Sequence, residues 1–230
     1  MGSVPVVVYV FLFQKVDLAA APITITTARS EVVVFTAPIL SFRMVLLMTK
    51  PPADVCSAAR KIKSLKDLSE QTEIGYGIVR NGATEDYFRS TAEATHRKIY
   101  EEMMKNKSTM ASTSAEGVEM VRAGGGQYAF IVEGGVGEYW AKRRPCDLAF
   151  VPLADMTRRN YAFVVRKGST LKAELNMAID DTTKRELAAL KARWWSNECL
   201  VSVSVSDARF EALLVLIALV VSSLSVLIDF

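Results

Sequence analysis

The sequence predicts an α/β fold, on three observations. Short apolar runs of strand length recur between residues 16 and 166, separated by stretches with helical patterning. Turn and cap residues sit at the joints, among them Pro38, Asn81-Gly82 and Gly124-Gly125-Gly126. Strands alternating with helices imply βαβ units and parallel pairing. The chain shows no internal repeat and no low-complexity tract.

The elements follow in order. Residues 16–24 read as a strand, followed by a short helix around 27–31. Residues 32–35 and 44–49 read as strands separated by Pro38, and Pro51-Pro52 then breaks the pattern. Residues 53–63 read as a connector, and Ser64 caps a short helix at 64–68. A strand at 73–79, the Asn81-Gly82 turn and a helix capped by Thr84 and running to about Arg89 come next. A helix spans 95–105, and Ser114 caps another that runs through Arg122 and ends at the glycine triplet. Residues 128–133 form a buried strand ending in an acid, and 135–142 are helical. Strands at 147–152 and 161–166 precede amphipathic helices at 170–180 and 182–195.

At 230 residues the chain has room for one or two domains with a real core. Charged residues make up 23% and the net charge is only +3, which gives no reason to expect nucleic acid as a partner. The densest basic cluster, Arg60, Lys61, Lys63 and Lys66, fits a solvated linker. The glycine triplet lacks both the lysine of a phosphate loop and the spacing of a dinucleotide fingerprint, so no cofactor is implied. His96 is the only histidine; it lies on a polar helix and reads as a surface residue. No metal spacing exists for the three cysteines, and no nucleophile–base set is available, so the chain does not read as an enzyme.

The apolar content is concentrated at the C-terminus. Between Ala212 and Ile228 the polar side chains are Ser222, Ser223 and Ser225. With its flanks the segment is long enough, at 1.5 Å per residue, to cross the roughly 30 Å core of a bilayer, and it reads as a membrane helix. The basic residues nearest to it all precede it, which by charge counting puts the preceding region in the cytoplasm. The cysteines argue the other way. A bridge between Cys146 and Cys199 would contribute about 4 kcal/mol through loop closure and needs an oxidising compartment. It leaves Cys56 over; three unpaired thiols are the alternative. The apolar run at 4–13 is too short to span, and reads either as a signal-peptide core or as a buried segment. Asn106-Lys107-Ser108 is a glycosylation acceptor.

Arg29 is the side chain with the clearest binding chemistry. It sits a turn inside a helix start, beside hydroxyls and unpaired backbone N–H groups. A guanidinium pairs with both oxygens of a carboxylate, and a helix start adds donors and partial positive charge. The alternative is a surface arginine near a cap.

Taken together, several stretches resemble the ligand-binding region of ionotropic glutamate receptors. Residues 21–40 (APITITTARSEVVVFTAPIL) resemble the family's upper-lobe strand, turn and helix. Residues 64–88, with GYGIVRNGATEDYF, resemble the start of its lower lobe. Residues 128–148, 161–179 and 190–199 resemble its acidic strand end, its return to the upper lobe and its closing Trp-Trp and cysteine. Residues 208–230 resemble its last membrane helix. The matches are collinear.

The resemblance implies a two-lobed clamshell like the periplasmic binding proteins, with an incomplete upper lobe and one C-terminal transmembrane helix. Residues 1–52 would be a partial upper lobe and 53–63 a connector where the family has its pore segments. The lower lobe would be 64–160, the return to the upper lobe 161–200, and the membrane helix 208–230. Glutamate or a related amino acid would bind between the lobes. By position, the Pro22 carbonyl would accept its ammonium, Thr24 would serve ammonium and carboxylate, and Arg29 would pair with the α-carboxylate. Ala83 and Thr84 would donate to its carboxylates, and Glu133 would balance the ammonium. Cys146 and Cys199 match the family's disulfide, which implies an extracellular binding region on a cell membrane. Partner subunits in a tetramer are implied as well. The short stretch between Lys50 and Ile62 has no room for the family's pore segments, so the chain is expected not to conduct alone. A membrane-anchored solute-binding or decoy protein is the alternative.

Overall fold

A computed structural model describes residues 16–50, 62–179 and 181–199. The run at 4–13, Cys56 and the helix at 208–230 lie outside the described residues. Among the described residues no helix is long and apolar enough to cross a membrane.

The described residues build two four-stranded sheets. In the first, β8 (Arg159–Val165) is the common partner of β1 (Leu18–Thr24), β2 (Val34–Phe35) and β3 (Leu40–Phe42), all antiparallel to it. In the second, the order is β5 (Gly75–Gly77), β6 (Tyr128–Glu133), β4 (Met44–Thr49) and β7 (Leu148–Pro152). The parallel pairing expected from the sequence holds for β5 with β6, whereas every other pair of these strands is antiparallel. The βαβ logic is nevertheless intact. β6 and β7, joined by a helix, are both antiparallel to β4 and therefore parallel to each other, with β4 slotted between them. β1 and β2 flank β8 in the same way.

Only Arg43 separates β3 in the first sheet from β4 in the second. The division of the sequence that assigns 1–52 to one lobe is corrected here: residues 44–49 belong to the second sheet. No break in hydropathy marks the crossing, because both strands are apolar. The chain returns across residues 153–158 to β8.

β4 is buried on both faces, as a central strand covered by helices requires. Met44, Leu46 and Met48 pack with Leu65 and Leu68 of α2 (Leu65–Glu70), Phe88 of α3 (Ala83–Ser90), and Ile99 and Met103 of α4 (Ala94–Lys105). Val45 and Leu47 point the other way, to Val118 and Val121 of α5 (Ser114–Ala123) and Ala141 of α6 (Gly134–Ala141). Gly117 lets α5 lie directly on β6: a Cβ there would come within 2.2 Å of the Phe130 ring.

Helix ends follow local chemistry, with two corrections. Ser64 caps α2 as expected, its hydroxyl accepting from Asp67 N–H at 3.1 Å. α3 starts at Ala83 on a Gly82 cap that lacks a side-chain bond, so Thr84 is not the cap but lies inside the first turn. α5 is capped by Thr113, not Ser114; Thr113 Oγ1 accepts from Glu116 N–H, and Glu116 accepts from Ser112 N–H, a reciprocal box. Gly124 ends this helix as expected, and Gly125 and Gly126 take positive φ.

His96 is also corrected. It is buried, with Nδ1 2.8 Å from the Tyr87 hydroxyl, because His96, Ile99 and Met103 share the inward stripe of α4. Two further helices, α7 (Leu171–Ala178) and α8 (Asp181–Trp194), follow β8.

Candidate ligand-binding site

β1 ends at Thr24, and the chain turns into α1 (Thr27–Ser30), whose Thr26 cap accepts from Arg29 N–H. That turn aims the Arg29 guanidinium back at the strand end, where Nη1 donates to the Thr24 carbonyl at 2.9 Å. Thr24 is 4% exposed, and its hydroxyl donates to Glu133 Oε1 at 3.2 Å. Glu133 closes β6, opposite Met44 in the ladder, so this contact joins the two sheets. The Tyr161 hydroxyl, from β8, donates to the other carboxylate oxygen of Glu133. Stacking on Phe42 at 4.2 Å fixes the Tyr161 ring.

A second arginine borders this cluster. Arg159 opens β8; its Nη1 donates to the Ala83 carbonyl at 3.2 Å and its guanidinium lies 4.7 Å from the centre of the Tyr87 ring. Burial lowers the pKa of Arg29 against the opposing pull of Asp86 and Glu133. Burial lowers that of Arg159 too, and the charge of Arg29 adds to the effect. The Tyr161 phenol is pushed up, by burial first and then by the adjacent Glu133 carboxylate. The Arg29 Nε is fully buried and has no hydrogen-bond partner among the described residues. A buried guanidinium N–H without an acceptor is costly.

Of the residues singled out from sequence, Thr24, Arg29 and Glu133 converge directly. Ala83 joins them through Arg159. Thr84 is buried in the first turn of α3, next to Ala83. Pro22 is exposed and lies where the β1–β8 register slips, with four steps on β1 from Ala19 to Ile23 against two on β8. A proline fits there because it has no N–H to give to a ladder. Sequence reasoning missed Tyr161, Arg159, Tyr87 and Asp86. The one signal for the first two was a cation and an aromatic heading an apolar strand.

The C-terminal end of the described chain is fastened to α6. Cys146 and Cys199 form a disulfide with Cα atoms 5.6 Å apart. Arg143 pairs with Glu198, Lys191 with Glu138 at 2.8 Å, and Trp195 Nε1 donates to Gly135 O at 2.6 Å.

Residues 11–197 match the family described as bacterial extracellular solute-binding proteins, family 3. The chain is 32% identical over 183 residues to glutamate receptor 3 of Mus musculus, a match that covers 78% of this chain and 19% of the relative. With glutamate receptor 3 of Homo sapiens it is 32% identical over 169 residues, 72% of this chain and 18% of the relative. It therefore spans about a fifth of the length of the curated relatives it matches. A solved structure described as Drosophila muscle GluRIIB complex with glutamate superimposes with a TM-score of 0.72 at 26% identity, covering 83% of this chain and 72% of that one. The two-sheet α/β architecture is thus that of the periplasmic binding proteins, and the chain belongs to the family 3 solute-binding proteins and, among them, to the ionotropic glutamate receptor family.

Proposed function

We propose that this chain binds glutamate or a related amino acid between its two sheets, as the ligand-binding region of an ionotropic-receptor-type subunit. The observation that carries the reading is the pairing of a buried guanidinium having an unsatisfied N–H, Arg29, with a carboxylate, Glu133, on either side of Thr24. A zwitterion needs a fixed cation and a fixed anion. Arg29 takes the α-carboxylate, Glu133 the ammonium, and Thr24 assists both. The Pro22 carbonyl accepts from the ammonium, and Ala83 and Thr84 donate at the start of α3. The hydroxyls of Thr24 and Tyr161 hold Glu133 until the ammonium displaces them. Because the ligand bridges groups on two sheets, binding favours closure of one on the other. The neighbour solved with glutamate supports the ligand class.

The binding region faces the outside of a cell membrane, in keeping with the Cys146–Cys199 bridge. Residues 208–230 anchor it, Asn106 carries a glycan in its exposed turn, and related subunits complete a tetramer. Only residues 51–61 lie between Lys50 and Ile62, too few for even one membrane crossing, so the chain does not conduct by itself. That same gap favours a second reading, a membrane-anchored binding or decoy protein. Calorimetry of the full chain with L-glutamate tests the proposal: saturable binding lost in Arg29→Ala supports it, and no heat of binding to the unaltered chain overturns it.

A further inference from the structure

We infer that the cavity between α2, α4 and β5 seats the first sugar attached to Asn106, an N-acetylated hexose held against the phenol of Tyr76 and the carboxylate of Glu102. The inference rests on the reading that Asn106 carries a glycan, and it stands apart from the amino-acid site. The cavity measures about 360 Å³, within the range of pockets that hold small molecules. Lys98, Glu102 and Asn106 follow one another at steps of four along α4 and the cap that ends it, so they share a face, and all three line the cavity. Most polar groups of the wall are already engaged. Gln71 Nε2 donates to Leu68 O and Ile74 O, and its Oε1 accepts from Ile74 N–H. Lys98 Nζ donates to the Ser69 carbonyl at 2.7 Å and ties α4 to α2.

Tyr76 is the exception. It is 8% exposed and lines the cavity, yet its hydroxyl has no hydrogen-bond partner among the described residues. Glu102 lies close enough for its charge to act on that phenol. Buried phenol hydroxyls ordinarily find a partner. A sugar offers several hydroxyls, each able to donate and accept, so one can accept from Tyr76 while another donates to Glu102. Ile74 and Met103, both buried, add the apolar surface that the methyl of an acetamido group covers.

Asn106 delivers the sugar to this wall. Its Oδ1 accepts from Ser108 N–H at 3.2 Å and from Ser108 Oγ at 2.6 Å, whereas its Nδ2 has no partner among the described residues. Nδ2 is the atom modified in an Asn-X-Ser acceptor. The new bond runs from Nδ2 to the anomeric carbon; Nδ2 loses one proton, and the glycosyl diphosphate donor loses its diphosphate. Tethered at the rim, the sugar has an effective concentration far above that of a free solute, so a few hydrogen bonds suffice to seat it.

The test is a thermal double-mutant cycle on the full chain made in a eukaryotic secretory host. The glycan is trimmed by an endoglycosidase to one sugar, and this form is compared with Ser108→Ala, which keeps the asparagine and loses the acceptor. Intact mass reads occupancy. Tyr76→Phe is introduced into both forms, so the cost of losing the Ser108 hydroxyl cancels. It is expected to lower the melting midpoint of the trimmed glycoprotein by about 2–4 °C more than that of the unglycosylated form. Glu102→Gln should act in the same sense, and it carries the test should Tyr76→Phe not fold. Equal shifts with and without the sugar overturn the inference and leave the glycan in place. A mass equal to that of the bare polypeptide overturns the inference and the glycan assignment together. Neither result bears on Arg29 and Glu133, which calorimetry with L-glutamate tests separately.

Discussion

The hydroxyl of Thr24 donates to the carboxylate of Glu133 at 3.2 Å, a side-chain contact between residues 109 positions apart in the chain. It joins the last residue of β1 to the last residue of β6 and so ties one sheet to the other at the candidate site. Thr24→Val keeps the shape and removes the donor, and is expected to weaken glutamate binding by about 1 kcal/mol. Glu133→Gln removes the charge that faces the ammonium and should weaken it by about 2–5 kcal/mol. Isothermal titration of both variants checks the order; a valine variant weaker than the glutamine variant contradicts the roles assigned.

Arg29 presents a second, sharper expectation. Arg29→Ala should abolish measurable binding, with a loss of about 2–5 kcal/mol. Arg29→Lys should recover little of it, because an ammonium cannot make the two parallel bonds of a guanidinium. Near-normal affinity in the lysine variant would mean that charge alone suffices.

The Cys146–Cys199 bridge closes a loop of 53 positions that contains β7, β8, α7 and α8. Loop-closure entropy puts its contribution at about 4 kcal/mol. Reduction, or Cys199→Ser, should therefore lower the thermal midpoint markedly and loosen α8 from α6, to which it is tied by the Lys191–Glu138 pair, with Arg143–Glu198 just beyond the two helix ends. Equal melting of oxidised and reduced protein would refute this.

Alkaline pH should weaken the fold through buried phenols. Burial pushes Tyr76 up to about 12, and raises Tyr128 and Tyr161 as well, the latter also through Glu133. A phenol whose pKa is higher folded than unfolded stabilises the fold fully below the unfolded value, near 10, and that contribution is lost as pH rises through the folded value. Stability should thus be level through neutral pH and decline from about pH 10 upward. Phenolate absorbance should show these tyrosines ionising late, together with unfolding; ionisation near 10 in the intact fold would count against their burial.

Much of the fold was legible because it is written locally. The buried run of β4, the cap at Ser64 and the glycine stop after α5 each depend on neighbours within a few residues. Pair direction was not legible: hydropathy is the same for a parallel and an antiparallel buried strand, and β4 is inserted between β6 and β7 from far away in sequence. His96 was misread because its helix is polar on average while one narrow stripe, with Ile99 and Met103, faces inward. Gly82 and Thr113 displaced the expected caps by one or two residues: at the second, Ser112, Thr113 and Ser114 compete, and at the first the backbone turn starts the helix without a side-chain cap.

The amino-acid sequence alone determined most of the elements, though not the short strand Leu40–Phe42, as well as the cation at a helix start and the acid at a strand end, and collinear resemblance pointed to the cysteine pair. The tertiary structure alone decided that Arg29 and Glu133 share Thr24, that the chain crosses between sheets at Arg43, that Tyr161 bonds Glu133 and that Arg159 bonds the start of α3. Those facts depend on which strands lie side by side, and strand neighbours are chosen by burial of the whole sheet rather than by any one stretch of residues.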